Sequence, residues 1–92
     1  MIQSIRHKGL KLLFEKGRSF KIRPEHLNRL RLVLTMLNAA REVSDMNFPG
    51  SGLHALKGEL DGFWSIRVSG NWRIIFKFEA GDAYDVDYTD YH

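Results

Sequence analysis

The chain has 92 residues, 43% of them hydrophobic and 12% aromatic, with a formal net charge of +3. That composition supports one compact core and excludes two, so a single domain spanning 1–92 is expected. It contains no cysteine, which excludes a disulfide framework and a thiolate metal site. No run of roughly 18 apolar residues offers a membrane span, and Met1 to Gly9 lack the apolar stretch of a secretory signal. A cytoplasmic protein with no membrane partner is the expectation.

The charge is unevenly spread. Up to Arg31 there are nine Lys and Arg against two Glu, a balance of +7; beyond it there are five against nine Asp and Glu, a balance of −4. A basic half of this kind attracts polyanions. A solvated basic helix face accounts for the same charges, and charge alone does not separate the two.

Ile2 and Ile5 mark a short edge strand. From His7 the spacing becomes helical, with Leu10, Leu13 and Phe14 on one face and Gly17 as the stop. Arg18 to Arg23 is a basic connection. Pro24 opens a second helix, whose stripe of Leu27, Leu30, Leu34 and Leu37 runs to Arg41, widened by Val33 and Ala40. Arg29 and Arg31 fall off that stripe. Ser44 to Gly52, with Pro49, Gly50 and Gly52, reads as a loop.

From Leu53 the period changes to two. Leu53 to Lys57 is a short strand candidate ending at Gly58. Phe63 to Val68, Trp72 to Phe78 and the stretch around Tyr84, Val86 and Tyr88 alternate as strands. The fold class expected is α+β: two N-terminal helices packed on one face of a small, mainly antiparallel sheet. A three-residue loop, Ser69-Gly70-Asn71, pairs Val68 with Trp72, Ile66 with Ile74, Trp64 with Phe76 and Arg67 with Arg73. The next hairpin then pairs Phe78 with Tyr84, Phe76 with Val86, Lys77 with Asp85, Ile75 with Asp87 and Arg73 with Thr89. The exposed face carries Arg67, Arg73, Lys77, Asp85, Asp87 and, if the strand continues, Tyr91. Two directly opposed arginines repel, unless an anion or the Asp87 carboxylate sits between them.

These residues suit the cleavage of an RNA phosphodiester by its own 2′-hydroxyl. That reaction needs a base, an acid and cations to hold charge on the phosphorane. Lys57, Arg67 and Arg73 offer cations for the substrate phosphate. His54, His92 and Tyr91 offer proton transfer, with Asp90 to orient a histidine. His54, His92 and Asp90 match no metal-ligand spacing. Each residue also has an ordinary structural reading: a hydrogen-bonded strand histidine, arginines on a solvent face, a frayed end. Periodicity alone reaches no further than a basic α+β protein that binds polyanions.

The runs Leu53-His54-Ala55-Leu56-Lys57-Gly58, Gly62-Phe63-Trp64-Ser65-Ile66, Asn71-Trp72-Arg73-Ile74, Gly81-Asp82-Ala83-Tyr84 and Tyr88-Thr89-Asp90-Tyr91-His92 resemble the HigB toxins. These are a branch of the RelE superfamily, also called plasmid maintenance killer proteins. His7-Lys8-Gly9-Leu10 and Phe14-Glu15-Lys16-Gly17 are similar too, so the likeness covers essentially the whole chain. It implies a ribosome-dependent mRNA endonuclease that cuts the codon in the A site without a metal or other cofactor. It implies catalytic roles for His54, Lys57, Arg73, Asp90, Tyr91 and His92; Arg67 comes from the register argument instead. The implied partners are the ribosome with its 16S rRNA, mRNA, and a helix-turn-helix antitoxin of the HigA type that carries the complex to operator DNA. Ala55 departs from the family, where many members have proline. A non-enzymatic RNA-binding module and a corepressor without catalysis are the readings that compete with an enzyme.

Overall fold

The computed structural model describes residues 1–91 of the chain. Helix α1 spans Lys8–Lys16. His7 caps its start, the Leu10 amide donating to the ring Nδ1 at 3.1 Å, and Gly17 ends it at φ 70. This left-handed C-cap is the role expected of glycine. Leu10 and Leu13 face inward. Gly9 is buried for a different reason: a Cβ there would collide with the backbone carbonyl of Phe20. The basic loop after α1 therefore closes directly onto the helix.

Pro24–His26 form a 3-10 turn that leads into α2, Leu27–Ala39. Its buried residues, Leu30, Val33, Leu34 and Leu37, belong to the predicted stripe. Ala40 turns extended at ψ 139 and ends the helix, slightly before the expected Arg41. The Ser44 to Gly52 loop is more ordered than its composition suggests. Val43–Met46 make a 3-10 turn, because Met46 is fully buried and Asp45 Oδ2 accepts from the Arg41 and Glu42 amides. Those two bonds hold the Asp45 carboxyl below its ordinary range.

Four strands follow: β1 His54–Ala55, β2 Trp64–Ser69, β3 Trp72–Glu79 and β4 Asp82–Asp90. They form an antiparallel sheet in chain order. Of the expected Leu53 to Lys57 strand, only the two residues of β1 pair. Ile2 and Ile5 make parallel bridges to Ala83 and Val86, along the outer edge of β4.

The central register is as expected: Trp64 opposite Phe76, Ile66 opposite Ile74, Arg67 opposite Arg73, Ile75 opposite Asp87, and Arg73 opposite Thr89. Both hairpin ends differ by a bulge. Ser69, not Val68, faces Trp72, so the turn is the two-residue Gly70-Asn71, with Gly70 at φ 56. Val68 is the extra residue. In the second hairpin Lys77 faces Tyr84 and Phe78 faces Ala83. The extra residue here is Asp85, at φ 52, a conformation aspartate tolerates better than most side chains. Periodicity cannot reveal either bulge, since the extra residue reverses the alternation on the turn side: Tyr84, expected on the face of Val86 and Tyr88, comes to the face of Lys77, and Ala83 is buried in its place.

Leu10, Leu13, Leu30, Val33, Leu34 and Leu37 of the helices form one core with Ile66, Ile74, Phe76, Val86 and Tyr88 of the sheet. Each fully buried aliphatic or aromatic side chain contributes roughly 1.5–3 kcal/mol. Within this core His26 and Tyr88 are both 4% exposed. Their Nδ1 and hydroxyl lie 2.6 Å apart, and Trp72 stacks on Tyr88 with ring centres 4.7 Å apart. The sheet's other face is less open than expected. Leu56, Phe63 and Ile75 make a second small cluster there, with Leu60 against it. The crossing between β1 and β2 thus covers one end of that face and leaves Arg67 exposed at the other.

Candidate active site

The face away from the main core can be read as rows across the strands. One row holds His54, Ser65, Ile75 and Asp87; the next holds Arg67, Arg73 and Thr89. The Tyr91 amide donates to the Asn71 carbonyl at 2.8 Å. This extends the ladder one step past β4, and alternation puts Tyr91 on the side of Thr89 and Arg73. The two arginines therefore stand in the middle, with His54 on one flank and Tyr91 on the other. Strands lie about 4.8 Å apart, and same-face neighbours along a strand about 6.8 Å. His54 and Arg73 then have Cα atoms on the order of 12 Å apart, within the combined reach of an imidazole and a guanidinium about one phosphate.

His54 is exposed, but its ring is oriented. Its Nδ1 lies 2.9 Å from the Gly52 carbonyl. A carbonyl only accepts, so the ring carries a hydrogen on Nδ1, and in the neutral imidazole Nε2 keeps a lone pair. Arg73 is oriented too: one terminal nitrogen donates to the Gly70 and Trp72 carbonyls at 2.5 and 3.0 Å. Among the described residues the ion pairs to Asp85 come from Arg6 at 3.6 Å and Lys77 at 3.9 Å, and none includes Arg67 or Arg73. The Asp87 carboxylate does not bridge the arginines. It accepts from the Tyr88 amide at 2.9 Å. The result is a cation pair without a carboxylate between its members, an arrangement that attracts anions.

Lys57 is exposed two residues past β1, at the start of the 3-10 turn Gly58–Leu60. Asp90 does not join the arginine face. It pairs with Trp72 in the row beyond Tyr88 and Ile74, on the side of the main core. His92 lies outside the described residues. No group of three or more His, Asp or Glu residues able to hold a metal occurs among the described residues. Two surface hollows, one around Ile2, Ile5 and Lys11 and one around Arg31, Leu34 and Thr35, lie away from these residues.

Two contributors were not visible in the sequence. Arg29, off the α2 stripe, reaches across to the sheet. Its Nε donates to the Arg67 carbonyl at 3.1 Å, and its Nη2 donates to the Arg67 and Gly50 carbonyls at 2.9 and 2.8 Å. Together with the Arg67 amide, which donates to the Ser51 carbonyl at 2.8 Å, it ties the loop before His54 to β2. Ser65 is fully buried in the His54 row, and its hydroxyl has no hydrogen-bond partner among the described residues. No local pattern marks either role, since both depend on where the Pro49 to Leu53 segment crosses the sheet.

A four-stranded antiparallel meander and two N-terminal helices define a small basic α+β protein, with an arginine pair flanked by a histidine and a tyrosine on an open sheet face. Residues 3–92 match the model of the family described as "RelE-like toxin of type II toxin-antitoxin system HigB", and the chain belongs to that family. It is 47% identical, over the full length of both chains, to a protein of Proteus vulgaris named "Endoribonuclease HigB". It is 33% identical to "Toxin HigB-1" of Vibrio cholerae serotype O1 (strain ATCC 39315 / El Tor Inaba N16961), covering all of this chain and 98% of that one.

Proposed function

We infer that this chain is an endoribonuclease that cuts mRNA in the ribosomal A site and is neutralised by a HigA-like antitoxin. The observation that carries the chemistry is the Arg67–Arg73 pair standing between His54 and Tyr91. In-line transesterification forms a bond from the 2′-oxygen to phosphorus and breaks the bond from phosphorus to the 5′-oxygen. A base on one side takes the 2′-proton. An acid on the other side protonates the departing 5′-oxygen, leaving a cyclic phosphate and a 5′-hydroxyl. His54, exposed and with Nδ1 held by the Gly52 carbonyl so that Nε2 keeps the lone pair, suits the base. The phenol of Tyr91 or the imidazole of His92 suits the acid. Arg73, Arg67 and Lys57 supply charge where it develops on the phosphorane, usually the largest single contribution in such reactions. Asp90 acts on His92 or on the strand end, not on the phosphate.

The openness of the face supports dependence on the ribosome. His54, Lys57, Arg67 and Tyr91 are all exposed, so the chain by itself does little to exclude water or to hold RNA in line. A larger body that presents the codon supplies both. The family also implies an antitoxin partner, and operator binding belongs to that complex. The test is induced expression of the parent, Arg73→Ala and His54→Ala, with primer extension on a translated reporter. Cuts inside translated codons are expected from the parent. His54→Ala is expected to cut about 100- to 10,000-fold more slowly, and folded Arg73→Ala to arrest nothing. A folded Arg73→Ala that still stops growth would overturn the site.

A further inference from the structure

The basic loop between the helices carries a feature that the nuclease site does not use. Phe20 is 52% exposed, the most exposed aromatic ring described. It stands between Arg18 and Lys21, with Arg23 close by. The Lys21 ammonium lies 5.4 Å from its ring centre. An aromatic ring left in water loses the gain of burial, and here the core was within reach, because Ile22, two residues on, is buried in it.

The loop that presents the ring is fixed. The Phe20 carbonyl sits against Gly9, where any side chain would collide with it. Lys21 has φ 57, a left-handed conformation that non-glycine residues rarely adopt and that persists only where the surroundings impose it. Arg23 holds the far side, its guanidinium 5.1 Å from the Trp72 ring centre. It also pairs at 4.0 Å with Glu25, the acidic residue of the next turn. Ile22 inward, Lys21 strained and Phe20 outward form a rigid aromatic platform ringed by cations.

The platform lies on the helix side of the sheet, across its edge from the arginine face. Trp72, under Arg23, pairs with Asp90 and directly precedes Arg73. Phe20 is three residues from Arg23, at most about 10 Å of chain. A strand leaving the arginine face over the Gly70-Asn71 turn reaches the loop within a few nucleotides. The geometry points to a base-stacking subsite: Phe20 takes one base of single-stranded RNA outside the cleaved linkage, while Arg18, Lys21 and Arg23 hold its phosphates. This rests on the nuclease reading and adds where the substrate is gripped. Base–aromatic stacking tolerates any base and is the usual partner of a basic groove. A protein partner is less well matched, since one ring among cations offers little contiguous apolar area.

The test uses the full chain and a short fluorescein-labelled oligoadenylate with 2′-O-methyl groups, which cannot be cleaved. Binding is followed by anisotropy over a range of salt concentrations. Phe20→Ala and Phe20→Leu should each weaken binding about 10-fold, whereas Phe20→Trp should match or exceed the parent. The salt dependence should be unchanged in all three, because the ring releases no counterions, and Arg18→Ala should flatten it by about one unit. Phe20→Leu and Phe20→Ala binding like the parent, with the parent cutting mRNA in cells, would overturn the subsite alone. Loss of antitoxin binding without loss of RNA binding in Phe20→Ala would overturn it in favour of a protein interface. A parent that neither binds the oligonucleotide nor cuts mRNA would overturn both readings.

Discussion

Arg29→Met tests whether the nuclease site depends on a residue that touches no substrate. Methionine keeps the stem and deletes the guanidinium, which donates three hydrogen bonds to the carbonyls of Arg67 and Gly50 and lies 5.3 Å from the Phe48 ring centre. Charge-assisted hydrogen bonds contribute about 1.5–3 kcal/mol when dry. These are exposed, so water recovers much of that, and about 1–2 kcal/mol is expected for the set. The Phe48 contact adds roughly 0.5–1 kcal/mol. A total near 2 kcal/mol leaves a protein of ordinary stability folded. The bond from the Arg67 amide to Ser51 survives, so the loop should shift and not detach. Gly52, whose carbonyl holds the His54 ring, is two residues from Gly50, and a displacement of about 1 Å in a catalytic group costs on the order of 100-fold. Urea unfolding should therefore show the loss of about 2 kcal/mol. Cleavage of a translated reporter, compared at equal folded fraction, should fall about 10- to 100-fold. Arg29→Lys, a point donor unable to span both carbonyls, should fall between Arg29→Met and the parent. Parental cleavage by a measurably destabilised Arg29→Met would refute the link between this clamp and His54.

Tyr88→Phe should cost about 1–3 kcal/mol, because it leaves the buried His26 Nδ1 without its partner; the midpoint in urea reads this directly. Burial pushes the Tyr88 phenol above its ordinary value, against the opposing pull of Arg23. The folded state therefore keeps a proton that the unfolded state gives up. The resulting stability is complete below about pH 10, the unfolded tyrosine value, and is lost as pH rises through the higher folded value. Unfolding curves at increasing alkaline pH should show this decline in the parent and its absence in Tyr88→Phe. Ala80, at φ 51 beside Gly81 at φ 82, occupies a turn position that favours asparagine. Ala80→Asn should raise stability by about 0.5–1 kcal/mol, seen as a higher Tm, with cleavage unchanged.

The helices were legible because burial selects one face. Leu30, Leu34 and Leu37 recur at helical spacing, and no other face of α2 offers a core. The arginine pair was legible for a related reason: Ile66, Ile74, Trp64 and Phe76 admit one register, and Arg67 must then meet Arg73. The bulges at Val68 and Asp85 were not, because a bulge is set by backbone geometry and by partners such as Ser4, whose hydroxyl accepts from the Asp85 amide at 2.8 Å. Asp90 entered the site through likeness to a family, and its pairing with Trp72 puts it on the opposite face from Tyr91. The roles proposed for His54 and Lys57 rest on likeness to a family, since exposure and alternation alone do not distinguish a base from a surface histidine. Arg29 and Phe20 escaped because their meaning lies in what the fold brings beside them, a pair of carbonyls for one and a strained basic loop for the other.

The bridges from Ile2 and Ile5 to β4 have a consequence for how the molecule assembles. Backbone bonds join Gln3 to Ala83, Arg6 to Val86 and Val86 to Ser4, contacts between segments separated by nearly the whole chain. Closing so large a loop is entropically costly and slow relative to forming the local hairpins. Until it closes, β4 presents an unpaired backbone edge, the kind of surface on which chains pair with one another. A folding chain therefore passes through a window in which self-association competes with docking of the first residues. Substitutions that weaken Ile2 or Ile5 should widen that window, lowering the yield of soluble protein before they lower the activity of the molecules that do fold.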